Sequence, residues 1–140
     1  MQNDYESALR RDGKLIFVPG GDSMWPTLKH EGQSVVVLPK KDKLRLYDVP
    51  LYKRADGQYV LHRVVGFAAG GYVVCGDSQF GEEYVAEGQI VGVLDGFFKG
   101  KKYVSADDRK SRRAALFLRK HRFIKRVAVK LHFLFGRRKR

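Results

Sequence analysis

Cysteine is almost absent from this chain: Cys75 is the single one in 140 residues. No internal disulfide can form, and a cysteine-based structural zinc site is excluded. Nothing therefore argues for an oxidising compartment. The neighbours Val73 and Val74 mark Cys75 as a buried core thiol. Long apolar runs are missing too, since no segment approaches the roughly 20 apolar residues that a membrane span needs. The first residues, Met1 to Ser7, carry neither a basic leader nor an apolar stretch. Neither a transmembrane helix nor a cleaved signal is expected, which points to a cytoplasmic protein or one peripheral at a membrane. No internal repeat or low-complexity segment precedes the C-terminal tail.

Acid is scarce at one end only. From Arg109 to Arg140 there are fourteen Lys/Arg and no Asp/Glu, while residues 1–108 hold the other fourteen bases and all fifteen acids. The formal charge of +13 is thus a property of the tail, and the body is close to neutral. Two regions follow, a body over 1–108 and a basic tail over 109–140. The body is long enough for one domain with a modest core.

What the body does contain is β pattern. Residues 3–11 predict a short helix with Asn3 or Asp4 as cap, Tyr5, Ala8 and Leu9 on one face, and an end near Gly13. Lys14–Pro19 reads as a strand, followed by strands over 34–38, 51–53, 58–65, 71–75 and 89–94. Short β-branched and aromatic runs divided by Gly, Asp and Pro indicate antiparallel pairing. Ala55-Asp56-Gly57 and Ala69-Gly70-Gly71 supply tight-turn signals. The expected fold is mainly β, a small coiled antiparallel sheet domain with a basic amphipathic C-terminal helix.

Three polar residues stand where chemistry would need them. Ser23 lies in Gly20-Gly21-Asp22-Ser23-Met24-Trp25-Pro26-Thr27-Leu28, where two glycines admit positive φ and Pro26 restricts Trp25. The same residues also compose ordinary loops. Strand alternation puts His62 on one face with Val60 and Val64, turned inward or into a cleft, with Arg63 on the other face. A core histidine satisfied by a backbone carbonyl fits that position as well. Asp77 follows a strand in Gly76-Asp77-Ser78. A serine hydroxyl needs a neighbour to take its proton, neutral imidazole suits that task, and a carboxylate on the far ring nitrogen orients it.

Gly21-Asp22-Ser23-Met24-Trp25-Pro26-Thr27-Leu28 resembles the nucleophile box of the signal peptidase I and LexA-like serine peptidase superfamily. Tyr47–Tyr52, Tyr59–Gly66, and Cys75–Ser78 with Gln89–Val93 resemble its later boxes, in the same order, over residues 14–94. The resemblance implies coiled antiparallel sheets and a serine endopeptidase that cleaves a leader or signal-type peptide without a metal or other cofactor. Ser23 maps to the nucleophile and its backbone N–H to one oxyanion donor. His62 maps to the general base, as in the endoplasmic-reticulum and archaeal-type variant. Asp77 maps to the orienting carboxylate, with Glu82 and Glu83 as alternatives. Met24 and Pro26 map to the substrate-binding side of the nucleophile box. Gly21 replaces a serine that completes the oxyanion hole in many members, and the N-terminal anchor and large second domain of some members have no counterpart. The alternative function is a non-catalytic β domain of the same ancestry, tethered by its tail to an anionic membrane or to nucleic acid.

In the tail, Phe117, Ile124, Val127, Ala128, Leu131, Leu134 and Phe135 recur at three- and four-residue steps among Lys and Arg. That is the pattern of a basic amphipathic helix. It fits an anionic membrane surface, or docking of its apolar face on the body. Nucleic acid is the third option, and no helix-turn-helix, zinc site or stacking platform favours it. His30, His121 and His132 lack the carboxylate and cysteine company of a metal site and receive no ligand role.

Overall fold

In the computed structural model, residues 4–28 and 33–136 are described. His30 and the proposed cap Asn3 lie outside them. Helix α1 (Tyr5–Asp12) is capped by Asp4, whose carboxylate accepts the Ser7 N–H at 3.1 Å, and ends on left-handed Gly13. The strands are β1 (Leu15–Phe17), β2 (Val35–Leu38), β3 (Pro50–Lys53), β4 (Tyr59–Leu61), β5 (Arg63–Ala68), β6 (Gly71–Cys75), β7 (Glu83–Ala86), β8 (Ile90–Lys99) and β9 (Lys102–Ser105). Helices α2 (Arg109–Lys120) and α3 (Arg122–Gly136) complete the chain.

All strand pairs are antiparallel, and together the strands make two sheets. The larger is a curled half-barrel with the order β1-β2-β8-β3-β4, and the smaller has the order β5-β6-β7. Strand β8 is the spine. One of its edges pairs with β2, and the other with β3 near its start and with β9 near its end. Bulges at Val36/Val37 and at Leu51/Tyr52 bend the ladder, as a curled sheet requires.

Alternation along the strands fills two cores. Leu9, Leu15, Val35, Val37, Leu51, Leu61, Leu94 and Phe97 pack together under α1. Leu44, Tyr52, Val64, Tyr72, Val74 and Val85 form the second cluster, against the small sheet. Cys75 is buried, as its valine neighbours predict.

Two departures from the sequence reading matter for function. The single strand expected over 58–65 is two strands in different sheets, and His62 is the residue between them. The tail is two helices that meet at His121, instead of one. Both touch the body: Arg119 pairs with Glu82 at 3.2 Å, the Lys125 ammonium donates to the Gln79 carbonyl, and the His132 ring stacks on Trp25 at 4.5 Å. Ala115, Leu118 and Lys125 are buried and His132 meets Trp25, whereas Phe117, Ile124, Val127, Leu131, Leu134 and Phe135 of the apolar stripe, for which docking on the body was one expectation, are exposed. No helix among the described residues is long and apolar enough to cross a membrane.

Candidate active site

Ser23 opens a tight turn after five residues, 18–22, that follow the end of β1. The Trp25 N–H bonds to the Asp22 carbonyl at 3.1 Å and the Leu28 N–H to the Met24 carbonyl at 2.9 Å. Gly21 has φ +77°, a conformation that a side chain would strain. The Ser23 N–H is engaged by no hydrogen bond among the described residues and is free to serve as an oxyanion donor.

The Gly76-Asp77-Ser78 segment braces this turn from behind. The Ser78 N–H donates to the Ser23 carbonyl at 3.1 Å, and the Ser78 hydroxyl to the Asp22 carbonyl at 2.8 Å. A Cβ on residue 76 would come within 2.6 Å of the Ser23 carbonyl oxygen, so only glycine permits the approach. Asp77 accepts from Arg63 Nε at 2.8 Å and Nη2 at 2.9 Å, and from the Thr27 hydroxyl at 2.5 Å. Both partners of the Arg63–Asp77 pair are buried. Arg63 therefore points inward despite its charge, and its remaining donors go to the Tyr47 carbonyl and to Thr27.

That geometry corrects the role expected of Asp77. Both its oxygens are committed to Arg63 and Thr27, and none of its hydrogen bonds reaches His62. It reaches the nucleophile turn through Thr27 and acts on His62 only at longer range.

His62 is held from another side. Its Nδ1 lies 3.0 Å from the Tyr52 hydroxyl, which donates to Glu83 Oε1 at 2.7 Å. Arg54 clamps the Glu83 carboxylate with two bonds, of 3.0 and 2.9 Å. Because the phenol spends its proton on Glu83, the network assigns the imidazole proton to Nδ1, donated to the Tyr52 oxygen. Nε2 is then the free acceptor of the ring, the atom a general base uses. Glu83, one of the two alternative carboxylates, thus joins His62 through Tyr52, while Glu82 pairs with Arg119.

Electrostatics fix the protonation states along this network. Burial, chiefly, pushes the His62 pKa below its usual value, and Arg54 adds to the push against the opposing pull of Glu83 and Asp77. The imidazole is neutral at neutral pH. Burial and the Glu83 hydrogen bond drive the Tyr52 phenol well above its normal range, so it remains a donor. The Arg54 hydrogen bonds, above all, hold Glu83 below the usual carboxylate value, so it remains an anion.

Ser23 and His62 line the same cleft, of about 820 Å³. No hydrogen bond joins them among the described residues. In enzymes a nucleophile–base hydrogen bond is often long before substrate binds, so its absence leaves the pairing open to test. Met24 lines the cleft and is also core, 4% exposed. Pro26, expected beside substrate, is not part of the cleft wall and follows Trp25 through a cis peptide bond. No family model matches this chain, and no curated protein matches it.

Sequence reasoning missed Tyr52, Arg54, Thr27 and Arg63. A signal for Tyr52 existed in the ladder, where it pairs with Val60 and so sits on the same face as residue 62. Reading it needed the register of β3 on β4.

Proposed function

We propose that this chain is a serine endopeptidase of the signal-peptidase and LexA-like kind, with Ser23 as nucleophile and His62 as general base. The observation that carries the reading is a buried, neutral His62 in one cleft with Ser23, its Nδ1 anchored by Tyr52, Glu83 and Arg54. In the proposed reaction, Ser23 Oγ attacks the scissile carbonyl as His62 Nε2 takes its proton. The Ser23 N–H stabilises the oxyanion, a donor of a kind worth roughly 3–4 kcal/mol in the transition state. Imidazolium then gives the proton to the leaving amine, and water admitted to the acyl-enzyme reverses the sequence. Tyr52 and Glu83 stabilise the transient imidazolium in the place that a directly bonded aspartate holds in other triads.

The cleft also suits an extended peptide. Strands β1 and β4 end the path of the larger sheet, and residues of both line the cleft, Phe17 from β1 and Tyr59 and Leu61 from β4. A leader or signal-type segment can add as a strand to such an edge, its backbone hydrogen bonds giving affinity and alternate side chains giving selectivity.

The purified full chain, incubated with a complex peptide library and read by mass spectrometry, should generate new termini within a consistent sequence context. Ser23→Ala should generate none. Equal cleavage by wild type and Ser23→Ala would remove Ser23 from the role assigned to it. No cleavage by a folded wild type would favour the non-catalytic tethered domain.

A further inference from the structure

The tail helices turn one face to the body and leave a second, larger face bare. On α3, Phe123 is 79% exposed, and Ile124, Val127, Leu131 and Leu134 are exposed at three- and four-residue spacing on the side away from Lys125 and His132. Phe117 of α2 is exposed as well. Among the described residues these side chains remain largely uncovered, although the helices are already anchored through their opposite sides.

Charge borders this apolar stripe along one margin and has one sign. Arg126 and Lys130 flank it on α3, both exposed, and Arg109–Arg140 contains no acid. Where α2 meets α3, a pocket of about 380 Å³ is lined by Tyr47, Leu116, Arg119, Lys120 and Arg122. Glu82 engages Arg119 at one side of it, while Lys120 and Arg122 form no ion pair among the described residues. The stripe begins immediately after Arg122, so a cationic pocket and an apolar surface adjoin.

We propose that the outer face of α2 and α3 binds an anionic phospholipid bilayer, with Lys120 and Arg122 holding a phosphate headgroup and the stripe from Phe123 to Leu134 entering the acyl boundary. A second copy of the chain is a poor occupant of the same face. It would bring two acid-free basic segments together, and their repulsion opposes the apolar gain. A bilayer supplies both complements at once, apolar depth for the stripe and negative headgroups for its margins. The inner face of α3 holds Trp25, so a bilayer-bound tail would also set the Ser23 cleft at the lipid surface.

The test is co-sedimentation of the full chain with vesicles of phosphatidylcholine alone, or with a quarter of the lipid as phosphatidylglycerol. Wild type should bind the phosphatidylglycerol vesicles and bind neutral ones at least ~10-fold more weakly. Lys120→Glu with Arg122→Glu, and separately Val127→Asp with Leu131→Asp, should each weaken binding by about tenfold or more. All four positions are exposed, and unchanged thermal unfolding verifies that the variants fold. Equal binding by wild type and either double variant overturns the proposal, as does equal binding to both vesicle types. Dimerisation in solution that Val127→Asp with Leu131→Asp abolishes would assign the face to a second copy instead. Retention on a nucleic-acid duplex without vesicle binding would assign it to phosphate backbone. Ser23→Ala should bind vesicles like wild type, so this inference stands or fails separately from the peptidase reading.

Discussion

Two carboxylate–arginine clusters lie near Ser23 and His62, and they differ in what they hold. In the first, Asp77 and Arg63 are both buried, and every polar atom is spent on Thr27, Tyr47 or each other. In the second, Glu83 and Arg54 are about one-third exposed, and Tyr52 carries their influence inward to His62. The first is closed and braces a backbone turn. The second ends on a titratable ring whose far nitrogen is free. Proximity in a motif therefore did not decide which acid reaches His62; the available hydrogen-bond capacity did.

Removing the group on which the second cluster ends should have the largest effect. His62→Ala is expected to lower kcat/KM by about 10⁶-fold, as loss of a single acting triad member does elsewhere. Its melting temperature should stay near that of wild type, and steady-state kinetics beside a thermal melt will check both.

Asp77→Asn comes next and should act on stability. It leaves Arg63 buried without its counter-charge, a change that costs about 3–5 kcal/mol, equivalent to a fall of roughly 10 °C in Tm for a chain of this length. Calorimetry measures that loss. A wild-type melt with lost activity would make Asp77 a direct partner of the base and erase the contrast between the clusters.

Tyr52→Phe cuts the link from Glu83 to the imidazole. The expected loss is about 10²-fold in kcat, or about 2.7 kcal/mol, with KM little changed. An unaffected kcat would show that Tyr52 only fills core.

The smallest effects are shifts in the acid limb of the kcat/KM profile, and their signs oppose. His62 must be neutral to act, so activity rises with pH through its lowered pKa. Glu83 pulls that pKa up, and Glu83→Gln should move the limb to lower pH. Arg54 pushes it down, and Arg54→Gln should move the limb to higher pH, each by up to about one pH unit. Movement in the same direction would dissolve the cluster as an electrostatic unit. Stability follows from the same groups. With His62 lowered in the fold, its contribution is complete above the unfolded value near 6.5 and is lost as pH falls toward the folded one. Glu83 is also lowered, and it adds further acid loss below its ordinary value near 4.5.

Much of the fold was legible in local pattern. The Asp4 cap, the Gly13 end, the Leu15–Phe17 strand and the buried valines of β2 and β6 all follow from periodicity among neighbours. Strands β7 and β9 were not legible: Glu83–Ala86 and Lys102–Ser105 are four residues each, too short to show alternation, and pairing with a longer strand makes them extended. At the candidate site, alternation predicted an inward His62, and it is 5% exposed. It could not reveal that the chain changes sheets there, because the continuous run Tyr59–Ala68 carries no turn residue at position 62.

The sequence by itself determined a charge-asymmetric chain, a β-rich body and an apolar stripe in the tail, since each is a property of residues adjacent in the chain. Tertiary structure decided which acid reaches His62, why Arg63 is buried, and that the tail docks by Lys125 and His132 instead of its apolar stripe. Those outcomes rest on strand register and on helix–body contacts between residues far apart in sequence, and periodicity along a single chain holds no information about which distant partners meet.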